Sequence, residues 1–271
     1  MSDADLQTEL PLAEATRSNV RWITLDRPKQ RNPLSLSMLN ALIDALGRAA
    51  EDASVRAIVI AANGPVFSAG HDLREMSKSP GESRDVQLQR MREILDRCSR
   101  MMLDIVNSPK AIIACVQGTA TAAGCQLVSA CDLAIAADTA TFCTPGVNLG
   151  GFCTTPLVGI GRNIHRKHAM ALALTGDAVS AQDAVRFGLI NESVPGSELL
   201  ACVTALAERI AAKSAQGIRH GKADFYRQVE MPIEEAFAYA NEAMVRAMTS
   251  ADAEEGKAAF FEKRMPQWGD A

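Results

Sequence analysis

A chain of 271 residues, 48% of them apolar, carries enough hydrophobic material for one large domain or a domain with an appendage. A formal charge of −4, with no basic stripe interleaved with aromatics, excludes a dedicated nucleic-acid binder. No apolar run reaches membrane-spanning length, which excludes a helical membrane anchor within the sequence. The opening Met1-Ser2-Asp3-Ala4-Asp5 has neither the basic n-region nor the apolar stretch of a secretory signal. An Arg-rich transit peptide is absent too, and the expected location is cytoplasmic. Seven scattered cysteines, mostly inside apolar runs, read as reduced, buried thiols rather than a disulfide framework.

In chain order, residues 1–18 read as a flexible lead-in. Val20 to Leu25 reads as a strand stopped by Asp26-Arg27-Pro28. Ser35 can cap a helix whose apolar positions Met38, Leu39, Leu42, Ile43 and Leu46 recur at helical spacing. Ala57 to Ala61 is a buried strand, and Asn63-Gly64-Pro65 turns the chain into a first glycine loop, Phe67-Ser68-Ala69-Gly70-His71-Asp72-Leu73. Arg74 to Asp85 is polar and reads as a mobile flap. A long helix follows, with Met91, Ile94, Leu95, Cys98, Met101, Met102 and Ile105 on one side, ended by Ser108-Pro109.

Ala111 to Val116 is another buried strand, leading to a second glycine loop, Gly118-Thr119-Ala120-Thr121-Ala122-Ala123-Gly124, and a helix to about Ala130. Leu133 to Ala136 and Thr141 to Cys143 are short strands. Strands alternating with helices predict a largely parallel, helix-covered α/β core. Beyond Val194-Pro195-Gly196 the segments 197–212, 215–229, 233–249 and 251–263 all read as helices. Their apolar face, including Phe225, Phe237, Met244, Phe260 and Phe261, needs a second surface, in this chain or a neighbouring subunit.

The two glycine loops carry the chemistry. Small residues at a strand-to-helix junction leave backbone N–H groups bare to a ligand oxygen. Two such loops can aim two donors at one carbonyl and stabilise the charge that develops on it.

These loops, with Leu25-Asp26-Arg27-Pro28, Asn32-Pro33-Leu34, Cys131-Asp132-Leu133, Ala181-Gln182-Asp183-Ala184, Phe187-Gly188-Leu189-Ile190 and the tail Glu255 to Arg264, resemble the enoyl-CoA hydratase/isomerase (crotonase) superfamily over nearly the whole chain. The Gly70-His71-Asp72-Leu73 variant is similar to a branch of hydratase-domain proteins. The resemblance implies a crotonase-like α/β spiral of ββα units over 19–212, a C-terminal helical trimerisation region over 213–271, and an acyl-CoA thioester as ligand. It implies a homotrimer or dimer of trimers, no nucleic-acid or membrane partner, no metal, and no cofactor beyond coenzyme A as part of the substrate. It places the oxyanion-hole N–H groups on His71 and Ala123, with Asp72 capping the next helix. Coenzyme A would meet Arg27 and Lys29 through its phosphates and Ser68, Ala69 and His71 through its adenine and pantetheine. Lys257 or Lys263 of a tail would reach a phosphate across a subunit boundary.

The same resemblance exposes a break. The two glutamates that hold the hydratase water fall on Gln126 and Gly146, and a third acid/base position falls on Thr154. An amide takes no proton near neutral pH, and glycine offers nothing. Restoring glutamate at both positions is expected to create or raise hydration. His71 can move protons or shape the pocket, Cys153 is a weaker acyl acceptor, and Asp72, Cys143, Thr144 and Asn148 are further polar candidates. Gln126 reads as a hydrogen-bonding partner of water or thioester, alongside its reading as core filler. His165 and His168 read as a solvated basic face, and Gly159-Ile160-Gly161 lacks the context of a dinucleotide fingerprint. Three functions stay open: an acyl-CoA enzyme of this group in fatty-acid or related metabolism, a non-catalytic acyl-CoA binder or scaffold, and a thioester hydrolase.

Overall fold

The β-branched runs at the centre of the chain are buried on both faces, which is why they read as continuous rather than alternating apolar segments. A computed structural model describes residues 11–269. Its strands are β1 (Leu12–Arg17), β2 (Val20–Leu25), β3 (Ala57–Ala62), β4 (Val66–Ser68), β5 (Ala111–Val116) and β6 (Thr119–Thr121). They continue with β7 (Leu133–Ala137), β8 (Thr141–Cys143), β9 (Val179–Ser180) and β10 (Glu192–Val194). A six-stranded sheet runs β1-β2-β3-β5-β7-β10, and a four-stranded sheet runs β4-β6-β8-β9.

The helices are α1 (Leu36–Glu51), α2 (Leu73–Met76), α3 (Arg84–Val106), α4 (Ala123–Ala130), α5 (Pro156–Asn163), α6 (Arg166–Thr175) and α7 (Ala181–Phe187). The remaining four are α8 (Leu199–Ala211), α9 (Ala215–Gln228), α10 (Ile233–Met248) and α11 (Ala251–Glu262). Three successive units send one strand to the large sheet, a short strand to the small sheet, and a helix away. β3, β5 and β7 are parallel neighbours in one sheet, and β4, β6 and β8 in the other. This is the ββα spiral anticipated from the sequence.

Residues 12–17 depart from the flexible lead-in expected over 1–18. They form β1, antiparallel to β2 from Leu12↔Leu25 to Arg17↔Val20. Ser18 and Asn19 make the two-residue turn with φ of 49° and 62°, the left-handed pair that suits a tight hairpin. The strand was hidden because it is an edge: its apolar positions are few, and Glu14 is held by Arg21 and Arg48 rather than by burial. Residues 1–10 lie outside the described residues.

Alternate residues divide the large sheet between two cores. Ile58, Ile60, Ile112 and Ala114 join α1, α3 and α4 on one face. Val59, Ala57, Ile113 and Cys115 meet Leu199, Val203 and Ala207 of α8 on the other. Ser35 caps α1 by accepting from Met38 N. The segment 74–85, expected as a flap, is tied down: Arg90 donates to the carbonyls of Glu75 (2.6 Å) and Ser77 (2.7 Å) and pairs with Glu82.

The four helices expected beyond 196 are all present. α9 docks on the core through a buried cluster. Lys222 Nζ donates to the carbonyls of Ile105 (2.9 Å) and Lys110 (3.0 Å) and to Asp132 Oδ2 (2.8 Å). Tyr226 Oη donates to the other oxygen of Asp132 at 3.0 Å, and Ile112 N to Oδ2 at 2.7 Å. Burial pulls the Lys222 ammonium below its usual range against the pull of Asp132. Past this anchor the tail leaves its apolar side uncovered, with Phe237 66%, Phe260 78% and Phe261 79% exposed.

Because Lys222 is charged and nearly enclosed, Asp132→Ala should destabilise the chain by about 3 kcal/mol or more. Urea denaturation measures the loss, and hydrogen exchange over 215–228 should rise before that of the sheet.

Candidate functional site

β4 and β6 are parallel neighbours, with Ser68 opposite Ala120, so the loops that leave them emerge side by side. Gly70 has φ +82°, and a Cβ on it would stand 2.8 Å from Thr121 O and 3.1 Å from Ala123 N. A Cβ on Gly124 would stand 2.5 Å from Ser68 O. Each loop therefore closes on the other's backbone through the missing side chain of a glycine. Ala122, between them, is held at φ 51° and ψ −114°, an uncommon conformation for a residue with a Cβ.

A buried asparagine sets the first loop. Asn32, fully buried, donates through Nδ2 to the carbonyls of Asn63 (2.9 Å) and Val66 (2.8 Å) and accepts from Arg27 N through Oδ1 (2.8 Å). Its carbonyl accepts from Ser68 Oγ at 2.8 Å. Ala69 N donates to Arg31 O (3.0 Å) and Leu34 N to Gly70 O (2.7 Å). The turn 27–34 and the loop 68–71 are thus one hydrogen-bonded unit.

Within that unit, Gly70 N is taken by Ser68 Oγ at 3.3 Å, and Ala122 N by Cys143 O at 2.9 Å. The N–H groups of His71 and Ala123 donate to no protein acceptor among the described residues. Ala123 opens α4, where an N–H lacks an intrahelical partner and the helix dipole is positive. The two amides assigned from the sequence therefore lie on adjoining loops.

The side chains around them are neutral. His71 Nδ1 faces Leu34 O at 3.4 Å, and Nε2 is buried without a partner. Burial pushes the His71 imidazole below its ordinary 6.5, so the ring stays uncharged. Gln126 is buried with Oε1 unpartnered, and fully buried Thr144 has its Oγ1 unpartnered. Asp72 points away to cap α2, accepting from Arg74 N at 2.9 Å. Gly146 donates its N–H to Cys153 Sγ at 3.3 Å, and burial pushes the Cys153 thiol up, away from the reactive thiolate. Cys143 Sγ donates to Thr121 Oγ1 at 3.5 Å, and all seven thiols are free.

Position 146 has little room for the glutamate the resemblance would place there. A Cβ would lie 2.9 Å from Cys153 N and 3.0 Å from Cys153 Sγ, so backbone would have to move. Restoring both glutamates is therefore not a simple graft, and Gln126 is the position that can be changed without reshaping the loop. Thr154 is exposed, with Oγ1 turned to Phe152 O at 3.5 Å.

Of the residues expected to meet coenzyme A, Arg27 caps the short 3-10 turn Pro28–Gln30 and Lys29 lies within it. The Ser68 hydroxyl and the Ala69 N–H are used inside the fold, as described. Lys257 reaches Met248 O at 3.1 Å within its own chain. His165 caps α6, and His168 stacks on Phe187 at 3.8 Å, so these imidazoles have structural work. Sequence reasoning did not single out Asn32 as a hub; its one available sign was an Asn-Pro pair within a turn. Grooves of about 420 Å³ between α9 and α10 and about 680 Å³ between the β1–β2 hairpin and α8 lie away from this junction. Both follow surfaces that the chain itself leaves uncovered.

A ββα spiral whose glycine loops interlock in this way defines the enoyl-CoA hydratase/isomerase fold class, and the chain belongs to that family: the family model matches residues 15–271. It is 44% identical over 260 residues to the rat enoyl-CoA hydratase domain-containing protein 3, mitochondrial, covering 95% of this chain and 85% of that one. The crystal structure of the human enoyl-CoA hydratase domain-containing protein 3 superposes with a TM-score of 0.91 at 41% identity, covering 95% of this chain and all of that one. An enoyl-CoA hydratase from Mycobacterium smegmatis gives a TM-score of 0.90 at 45% identity, covering 96% and 99%. No helix among the described residues is long and apolar enough to cross a membrane.

Replacing Asn32 by leucine strands two carbonyls and an amide that are only partly covered, at up to about 1–3 kcal/mol for each group left unpaired; the urea midpoint should fall accordingly. His71 titrates in the unfolded chain near 6.5 but lower in the fold, so its contribution holds above 6.5 and is lost as pH falls towards the folded value. His71→Phe should flatten the decline in stability as pH falls below 6.5, read by denaturation at each pH.

Proposed function

We propose that this protein binds an acyl-CoA thioester with its carbonyl oxygen on the N–H groups of His71 and Ala123. Two donors that the protein leaves unused, on loops held together by Gly70 and Gly124, support this reading. Fixed in place and partly shielded, they favour the oxygen as it gains negative charge, and the α4 dipole adds to the same effect. His71 and Ala123 are thus the catalytic donors through their backbone, with Gln126 beside them. Arg27 and Lys29 would take the phosphates of coenzyme A, and Ser68, Ala69 and His71 would shape the channel for its adenine and pantetheine.

The protein's place is then in fatty-acid or related acyl-CoA metabolism. Polarising the carbonyl acidifies the α-carbon, which suits a lyase or isomerase, but Gln126 and Gly146 supply no carboxylate to move the proton. Efficient hydration of an enoyl thioester is not expected. The neutral lining favours a second reading, an acyl-CoA-binding or scaffold protein that keeps the cradle without the chemistry. Hydrolysis of the thioester by water is the third reading. The uncovered apolar side of α10 and α11 supports a homotrimer or dimer of trimers, and seven free thiols support a reducing compartment such as the cytoplasm.

One experiment separates the readings. Purified protein is mixed with enoyl-CoAs of several lengths, following conjugated-thioester absorbance and free thiol. Absorbance loss without thiol marks hydration, thiol release marks hydrolysis, and calorimetric binding with neither marks a binder. Failure of every ester to bind would overturn the proposal. Gln126→Glu adds one carboxylate at an accommodating position and should raise crotonyl-CoA hydration by about 100-fold over the parent, the low end of the range for one positioned acid/base group.

A further inference from the structure

The first glycine loop is stitched at successive points to the turn before α1 and to the opening of that helix. Ala69 N donates to Arg31 O at 3.0 Å, and Leu34 N donates to Gly70 O at 2.7 Å. Leu34 and His71 form a parallel bridge, and the His71 ring meets Leu34 O through Nδ1 at 3.4 Å. The last stitch is made by a side chain: Leu36 N donates to Glu75 Oε2 at 2.8 Å. Leu36 opens α1, where an N–H has no intrahelical acceptor and the helix dipole favours a carboxylate.

The backbone of Glu75 is held from the opposite side. Arg90 of α3 donates to Glu75 O at 2.6 Å and to Ser77 O at 2.7 Å. Gln87, also on α3, donates to Met76 O at 3.2 Å. The helix α2 is thus strung between α1 and α3. With four residues it has little rigidity of its own, so these outside ties fix it. His71 lies just before Asp72, the cap of α2. Its N–H therefore sits between two ties to the α1 side, Gly70 O to Leu34 N behind it and Glu75 to Leu36 N ahead of it.

We infer that, given the acyl-CoA reading above, Glu75 is a positioning residue for the His71 backbone donor. Its carboxylate is spent on the N-terminus of α1 and acts on the ligand only through the aim of the His71 N–H. Cutting this tie leaves α2 held by α3 alone and frees one end of the stretch that carries the donor. A misplacement of about 1 Å at a reacting centre can cost about 100-fold, so a small swing of α2 is enough to matter.

The test uses the full chain and the CoA thioester of 4-dimethylaminocinnamic acid. This push–pull chromophore absorbs at longer wavelength as its carbonyl oxygen is drawn negative. Free CoA, titrated by calorimetry, reports binding that does not involve the carbonyl. At saturation the parent should shift the probe to the red. Glu75→Ala should lose about half of that shift or more, since one of two donors is misaimed, while its affinity for free CoA changes little. Glu75→Gln keeps an acceptor on the same stem and should retain most of the shift. Leu36→Pro removes the other half of the bond at a first helical position, where proline is favoured, and Ser35 before it is already extended at φ −70° and ψ 165°. It should reproduce the alanine result, and the double variant should lose no more than either single one, because both cut the same bond. Thermal melting checks folding, and Leu36→Pro stands in if Glu75→Ala does not fold. A full shift in the alanine variant overturns the inference, as does a glutamine variant no better than alanine. Loss of free-CoA binding in step with the shift also overturns it, because Glu75 then supports the whole loop rather than one donor. A parent that neither binds nor shifts the probe is a different result, which removes the acyl-CoA reading and this inference with it.

Discussion

The structure around the candidate site depends on a backbone-to-backbone approach that a single methyl group would prevent. Gly70 rests against Thr121 O and Ala123 N, and Gly124 against Ser68 O. Because β4 and β6 are parallel, their loops leave in the same direction, and the two glycines let them close into one surface. Asn32 then holds the outer loop from behind, through hydrogen bonds to three separate backbone groups. The two unused amides lie on this surface because the neighbouring N–H groups, those of Ala69, Gly70 and Ala122, are already committed within the fold. Selective use of donors leaves a pair available to a ligand.

What lines this surface decides the kind of chemistry it supports. Burial keeps the His71 imidazole and the Cys153 thiol neutral, and Gln126 and Thr144 carry no ionisable group. The turn at Gly146 is tight enough that any side chain there is a matter of space. The chain from 150 to 153 returns across that position, and Cys153 Sγ takes the Gly146 N–H. A side chain at 146 would have to push that returning stretch outward.

The helical tail is joined to this core through a small, costly contact. Lys222 and Asp132 are both largely enclosed, and each is satisfied by backbone groups as well as by the other. Such a pair fixes the angle at which α9 leaves the core more than it adds stability. α10 and α11 inherit that direction and carry their phenylalanines outward, so the anchor also sets where an apolar surface is exposed.

Much of the architecture was written in local patterns. Continuous β-branched runs such as Ile58-Val59-Ile60 and Ile112-Ile113 identify doubly covered strands, Ser35 marks the start of a helix, and glycine loops after such strands mark where two backbones close on each other. The glycines at 70 and 124 were legible because each is a statement about one residue. The β1 hairpin was not, because an edge strand secured by Glu14, Arg21 and Arg48 has no strong apolar period. Nor was the tethering of 74–85, since Arg90 reaches it from a helix that follows it in the chain. The sequence by itself determined which residues could leave an amide bare and which could not carry a proton. Only the tertiary structure decided that Asn32 binds two loops into one, that Cys153 fills the space beside Gly146, and that Gln126 Oε1 and Thr144 Oγ1 are buried without partners. Those outcomes depend on segments far apart along the chain meeting within a few ångströms, a relation that no local pattern of residues encodes.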